Sequence, residues 1–523
     1  MILHLRAGMP DVREVEGAQL GVRGVDHAVI LARSGACMIW RRGYSSMNNV
    51  AGGREAPRYY PWVVAVMGML ALFLSNGMTA TGITIFDPSL LDEFGWARGD
   101  FKFRDFLNFA VTATIAPFIG ILIDRVNPRY LLMTGCGLLT LGYVGYSLIA
   151  NGGPVPLIEA IAVITALGLG GVVVVALGSL APGLNRRLAI AIAVALAAFG
   201  LWLYVQNWMG IALKQVYLIH LMFSLALSTA GSMTVIYLVS SWFVKHRGLA
   251  IGIALMGTSL GSAVLPFVNP YLIEAFGWRQ AYLYNSLMPI VLFVLVFLVI
   301  RGTPAQAGYK AVGQNEALGD LKQHGLTFQQ AIRTRTFWAI GLSGFLSYFA
   351  IFSFVQHYVL HLNKGFGFTL KEAGLQLFLF SVVAMFAKLV NGAIADRIDR
   401  HKVFMACLVI MFVGLVGLAS MKREWVTISA VVIGLGWGGL FTLYNMLAVN
   451  NFGLREIGRI NGSISFMESI GVGLGSWITG KLFDVFGSYQ VPFLGLACAL
   501  ALSIVIGTQI RSEVDERALA SRD

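Results

Sequence analysis

The chain has little charge. Asp, Glu, Lys and Arg make up 12% of its 523 residues, about half of the roughly 25% usual in soluble domains. Hydrophobic residues reach 57% and the mean hydropathy is +0.74. A water-soluble domain this apolar would lack the polar surface to cover itself, so a bilayer has to act as its solvent. Cysteine is scarce too: Cys37, Cys136, Cys407 and Cys498 form no CxxC pair, and three of them lie in apolar runs. Neither a zinc site nor a disulfide framework is indicated. The first residues lack the basic-then-apolar layout of a secretory leader. There is no credible nucleophile and no metal-ligand cluster, so no enzyme is expected, nor any cofactor. The net charge of +12 reports basic loops between membrane spans, and nucleic acid is not expected as a partner.

What is present is a series of apolar runs, each near the ~20 residues a bilayer requires. They fall at about 60–86, 103–123, 130–150, 157–181, 188–213, 216–241, 249–276 and 279–300. A polar stretch, 301–335, separates them from runs at about 337–362, 373–395, 402–421, 425–449, 458–480 and 489–510. The pattern predicts an all-α integral membrane protein of about 14 transmembrane helices. Its expected divisions are a cytoplasmic tail at 1–58, a first bundle at 59–301, a cytoplasmic central loop at 302–335, a second, six-helix bundle at 336–511 and a short tail at 512–523. Within the first tail, Met47 would begin a more ordinary leader.

Two polar stretches recur between apolar runs: GILIDRVNPR from Gly120 to Arg129, and GAIADRIDRHK from Gly392 to Lys402. Each sets Gly, Asp and Arg at i, i+4 and i+5. These are Gly120, Asp124 and Arg125, with Arg129 beyond, and Gly392, Asp396 and Arg397, with Arg400 beyond. The glycine lets a neighbouring backbone approach, and the charges sit at helix ends where water or each other can satisfy them. The two copies are 272 residues apart, whereas Gly248, Gly252, Gly261 and Gly277 recur as Gly458, Gly462, Gly471 and Gly487 at an offset of 210. Ser259 and Ser469 keep that second offset. The difference of 62 residues places an inserted two-span hairpin at about 152–214. Its basic tip, Arg186 and Arg187, falls on the same side as the other basic turns, which predicts both termini in the cytoplasm.

These stretches resemble the loop signature of the major facilitator superfamily. The resemblance implies a major facilitator fold of two pseudo-repeated six-helix bundles rocking around a central site, here with an extra two-helix hairpin in the first half. Asn127 and Pro128 stand where that family usually has Gly and Arg, and Asp399 replaces the usual Gly.

Ionisable residues inside spans are functional candidates because each is costly there. Lys388, Glu468 and His357 are the three that stand out. The bland alternatives are a snorkelling lysine, a carboxyl bonded to a neighbouring backbone, and a packed neutral imidazole. Asn76, Trp437, Tyr444 and Asn445 are weaker cavity candidates, since such groups also bind helices to one another. GTSLG, Gly257 to Gly261, fits the nucleophile-elbow pattern, but that chemistry needs a strand–turn–helix, and close helix packing is expected there.

WFVKHRGLAIGIAL, PYLIEAFGWRQAY and FGWARGDF are similar to the monocarboxylate porter and oxalate:formate antiporter branch. That branch carries a carboxylate-binding Arg at the position of Lys388, and its oxalate:formate-like members a Lys at that of Glu468. The resemblance implies a secondary active transporter working by alternating access. It would move a small organic carboxylate by proton symport or anion exchange, with Lys388 as the anion anchor; at Glu468 the family's charge is reversed, and there the expectation of a proton carrier comes from a carboxyl set in a low-dielectric cavity. Its partners would be the bilayer, a small organic anion and a coupling proton or counter-anion, and it would lie as a monomer in the inner (cytoplasmic) membrane. The rival reading is a transport-dead sensor of a small ligand, for which a long signalling tail would be expected.

Overall fold

The computed structural model describes residues 54–150, 210–313, 325–453 and 455–511, with a few isolated residues between 158 and 194. Most of the expected hairpin, including Arg186 and Arg187, and nearly all of both tails lie outside the described residues. Among the described residues, nine helices are long and apolar enough to cross a membrane.

In the first half α1 spans Tyr60–Asn76 and opens on Pro61, whose missing N–H costs nothing in a first turn. It passes through a π turn at Gly77–Thr81 and a 3-10 turn at Gly82–Phe86 into α2, Asp87–Phe94. Then come α3 (Arg98–Arg125) and α4 (Pro128–Ser147). The run expected at 216–241 is two helices, α5 (Ile211–Thr229) and α6 (Ser232–Trp242). α7 runs Arg247–Asn285, broken at Gly277, and α8 is Leu287–Val299. The second half holds α9 (Arg335–Leu360), α10 (Leu370–Ala395), α11 (Arg400–Ala419), α12 (Arg423–Phe452), α13 (Ile457–Phe486) and α14 (Gln490–Gly507). A two-residue parallel ladder, β1 (Arg54–Glu55) with β2 (Tyr309–Lys310), ties the end of the first tail to the central loop.

Large apolar side chains point outward as a soluble surface would not allow: Val485, Leu298 and Leu389 are each more than 60% exposed, as expected where lipid is the neighbour.

The two sequence offsets reappear as contacts. Gly261 lies on the Phe73 carbonyl, and Gly471 lies on the Phe345 carbonyl; 261 and 471 differ by 210, 73 and 345 by 272. Gly142 packs on Phe223 and Gly414 on Ile433, at the same two offsets. Gly277 and Gly487 both take positive φ, +78° and +67°, a region glycine enters without steric cost.

The halves meet along two seams, α3 with α13 and α7 with α10. Gly480 approaches the Gly99 backbone, Gly473 that of Phe106 and Gly374 the Pro266 carbonyl. All three contacts lie in the part of the seams remote from the loop motifs. At the motif end Gly120, Gly248, Gly252, Gly392, Gly458 and Gly462 face open space. Close backbone contact between the halves at these glycines is confined to the end remote from the motifs, the closed end.

Candidate functional site

A polar bond between the halves lies midway along the α7–α10 seam. Nζ of Lys388, on α10, donates to Oγ of Ser259, on α7, at 3.1 Å. Farther from the motifs Ser381 donates to the Ser262 carbonyl at 3.0 Å. An ammonium therefore sits where the closed part of the interface gives way to the open part.

Glu468, on α13, is 7% exposed. Its carboxyl lies over Gly344 of α9, where a Cβ would come within 3.2 Å of Oε1, and the edge of the Tyr444 ring reaches the same spot. Tyr444 is bonded through its hydroxyl to Ser347 (2.7 Å) and Ser343 (3.3 Å). Trp437 stands edge-on to Tyr348 and Phe352. Asn445 accepts from Asn461 at 2.7 Å, and Asn76 bonds weakly to Ser75 just before the π turn. The fold thus gathers Glu468, Tyr444 and Trp437 around α9, and sets Lys388 on the α7–α10 seam.

His357 goes elsewhere. It is fully buried near the closed end, where Nε2 donates to the Ser476 carbonyl (2.8 Å) and Nδ1 pairs with the Tyr489 hydroxyl (3.0 Å). Both ring nitrogens are occupied within the protein, the arrangement of a packed imidazole rather than a ligand in this state.

Beside it lies a cluster that the sequence reading passed over. Asp87 receives Lys102 at 2.6 Å and Arg104 at 2.5 Å, and Asp105 lies 3.4 Å from Lys102 and 3.3 Å from Arg104. All four side chains are almost fully buried. Two acids and two bases cancel, which is how charge survives in low dielectric. All four belong to the first half, and the second half covers them with neutral groups. Gln356 accepts from Lys102 (3.4 Å) and Ser476 donates to Asp105 (2.7 Å). The signal was available as Lys, Arg and Asp packed into FKFRDF at the start of an apolar run, but charges there ordinarily meet water. Here α2, α9 and α13 cover them.

The loop motifs are built alike. Asn127 accepts the Arg129 N–H (2.9 Å) and Asp399 accepts the His401 N–H (2.8 Å), so each caps the helix that follows. Asn and Asp are good caps where glycine is neutral, which accounts for both departures from the usual glycine. Arg129 then reaches the Phe297 carbonyl, and His401 the Gly507 carbonyl, on the last helix of each half. Arg400 binds Asn450 at 2.6 Å. Asp124 and Arg125 close α3, and Asp396 and Arg397 follow α10.

Comparison with known proteins agrees with this architecture. A bacterial homologue of the human lysosomal transporter Spinster, solved in an inward-facing and occupied conformation, superposes with a TM-score of 0.56 at 14% identity over 89% of this chain and 98% of that one. A D-xylose–proton symporter gives 0.60 at 12% identity over 87% and 98%. Among curated sequences, the agnestins efflux protein AgnL12 of Paecilomyces divaricatus is 27% identical over 52% of this chain and 58% of its own length. The probable nitrate transporter NarT of Staphylococcus carnosus is 27% identical over 51% and 66%. The chain thus spans less than two thirds of the length of these two relatives. Residues 175–476 and 343–520 match the Major Facilitator Superfamily, more than half of the sequence, and the chain belongs to that family of membrane transporters.

Proposed function

We propose that the chain is a secondary transporter that moves a small organic carboxylate through the inner membrane by alternating access, as proton symport or anion exchange. The observation that carries this reading is Lys388, an ammonium held across the two halves where closed interface meets open cleft. A charge there costs too much to be kept without use, and it suits an anion. Glu468 is the proton carrier in this reading, buried on the far side of the second half. The termini, the central loop and the loop motifs lie in the cytoplasm, so this conformation is open inward. The layout is two pseudo-repeated six-helix bundles plus a hairpin near 152–214; the paired offsets in the Gly261–Phe73 and Gly471–Phe345 contacts favour it. Asn76, Trp437, Tyr444 and Asn445 would line the path, and His357 would close its outer end.

The resemblance to a probable nitrate transporter favours a second substrate on the same cation. Nitrate, like a carboxylate, is a planar monoanion offering oxygens to an ammonium. Purified protein in vesicles, offered labelled acetate, pyruvate, oxalate and nitrate with and without a pH gradient, tests the reading. Accumulation of a carboxylate supports it; nitrate alone selects the second substrate. Failure to move any of them would leave a ligand sensor as the better account.

A further inference from the structure

We propose that Ser259 is a substrate-binding residue, the first half's contribution to an anion site otherwise carried by Lys388. This rests on the reading of Lys388 above and adds the residue that makes the site belong to both halves.

Ser259 lies in the GTSLG stretch, whose resemblance to a nucleophile elbow is a matter of spacing alone. It sits on a continuous helix, and Gly257 and Gly261 pack on the backbone of α1. Those two contacts fix the height and rotation of α7 and leave the face between them turned to α10. The hydroxyl there accepts from Lys388. Its own proton is not returned to the helix backbone. Serines and threonines in membrane helices commonly return that proton to a carbonyl three or four residues earlier. Thr258 does so to Leu255, and Ser240, Ser241 and Ser286 do likewise. Ser259 makes no such bond among the described residues, and it is half-buried rather than sealed. Its O–H is therefore available to an acceptor that arrives beside the ammonium.

A planar anion supplies that acceptor. One oxygen takes a hydrogen from Nζ of Lys388 and the second takes the hydrogen of Oγ of Ser259, replacing the direct lysine–serine bond. The anion is then held by α7 from the first half and α10 from the second. No covalent bond changes, and no proton leaves either residue. Because the two ligands move apart when the halves rock, occupancy favours a conformation in which the seam is closed around the site.

The test is transport kinetics in vesicles, using whichever of acetate, pyruvate, oxalate or nitrate the unmodified protein takes up at the lowest half-saturation. Ser259→Ala is expected to raise half-saturation about tenfold, the scale of one hydrogen bond to a charged group, with the maximal rate within about threefold. Ser259→Thr, which keeps the hydroxyl, should recover most of the loss. The decisive arm combines Ser259→Ala with Lys388→Ala, or with Lys388→Arg if the alanine background is too weak to measure. A direct ligand still costs several-fold there, whereas a serine that only steadies the lysine costs nothing. Ser259→Cys gives an independent readout, since bound anion should slow its reaction with a maleimide. An unchanged half-saturation in Ser259→Ala, or an effect that vanishes without Lys388, overturns the proposal. A Lys388→Ala protein that transports normally overturns the reading of Lys388 instead.

Discussion

Lys102 and Asp87 form an ion pair of 2.6 Å in which neither side chain meets solvent. Asp87 uses its other oxygen for Arg104, so one carboxylate at the start of α2 fixes two cations of α3. That fastens α2 to α3 at the end where the halves are closed. Removing one member of a buried pair strands a charge, at a cost of about 3–5 kcal/mol. Asp87→Asn should therefore lower the melting temperature of the detergent-purified protein sharply, and Lys102→Met should do the same. A melting temperature within a degree or two of the parent would mean that water reaches the cluster.

The rim of the closed end has a one-sided charge pattern. Asp92, Glu274 and Asp100 of the first half pair with Lys364, Lys371 and Lys481 of the second, at 2.5, 2.6 and 2.5 Å. Asp484 accepts the N–H groups of Arg98 (2.8 Å) and Gly99 (2.7 Å) at the start of α3, where an anion is favoured by the helix dipole. The ion pairs are largely exposed, worth at most about 1 kcal/mol each and screened by salt. Opening this end breaks all of them together. A cysteine placed at Ser476 reports that opening through its alkylation rate. Asp484→Ala and raised ionic strength should each speed labelling several-fold, and Asp100→Lys with Lys481→Asp should restore the parental rate. Equal rates throughout would show that the rim does not hold the end shut.

Repeated glycines are not equivalent in space. Gly471 and Gly462 both have partners 210 residues earlier, yet Gly471 lies on a carbonyl and Gly462 faces open space. Gly471→Val should abolish folded protein, because the obstacle is backbone and cannot turn aside. Gly462→Val should express and melt like the parent. The check is fluorescence size-exclusion of both variants; a monodisperse Gly471→Val would break the packing account.

Hydropathy was enough to read the long helices, because a bilayer demands long apolar runs, and nine helices among the described residues are long and apolar enough to cross one. Breaks inside runs were not legible. The turn at Ala230–Gly231 and the π and 3-10 turns after Asn76 lie in uninterrupted apolar sequence, where local signals are weak. Of the proposed site, Lys388 and Glu468 were readable as charges out of place. The partners were not: Ser259 looks like any helical serine until the facing helix is known. The quartet of Asp87, Lys102, Arg104 and Asp105 reads as a wet helix start, and only the cover by α9 and α13 makes it buried. His357 was conspicuous too, and only the fold shows both its nitrogens engaged, by Ser476 and Tyr489.

Glu468 offers the sharpest test of coupling. Its carboxyl packs over Gly344 beside the Tyr444 ring, while Lys388 is engaged with Ser259 on the other seam, so the two are held by different neighbours rather than latched to each other. That arrangement suits a carboxyl that gains and loses its proton as the halves rock, since no fixed cation among its contacts pins it in one form. In proton symport the neutral form travels with the bound anion and the proton departs on the far side. Glu468→Gln imitates the neutral form permanently. It should keep substrate exchange, in which the loaded carrier shuttles without releasing a proton, and lose accumulation driven by a pH gradient. Parental uptake should rise as the pH falls on the side the substrate enters from, because protons then flow inward with it, and the variant should lose that dependence. Counterflow and gradient-driven uptake measured on the same vesicles separate the two activities. If the glutamine variant still accumulates substrate against a gradient, the proton takes another route, and anion exchange or a different carboxyl has to carry the coupling.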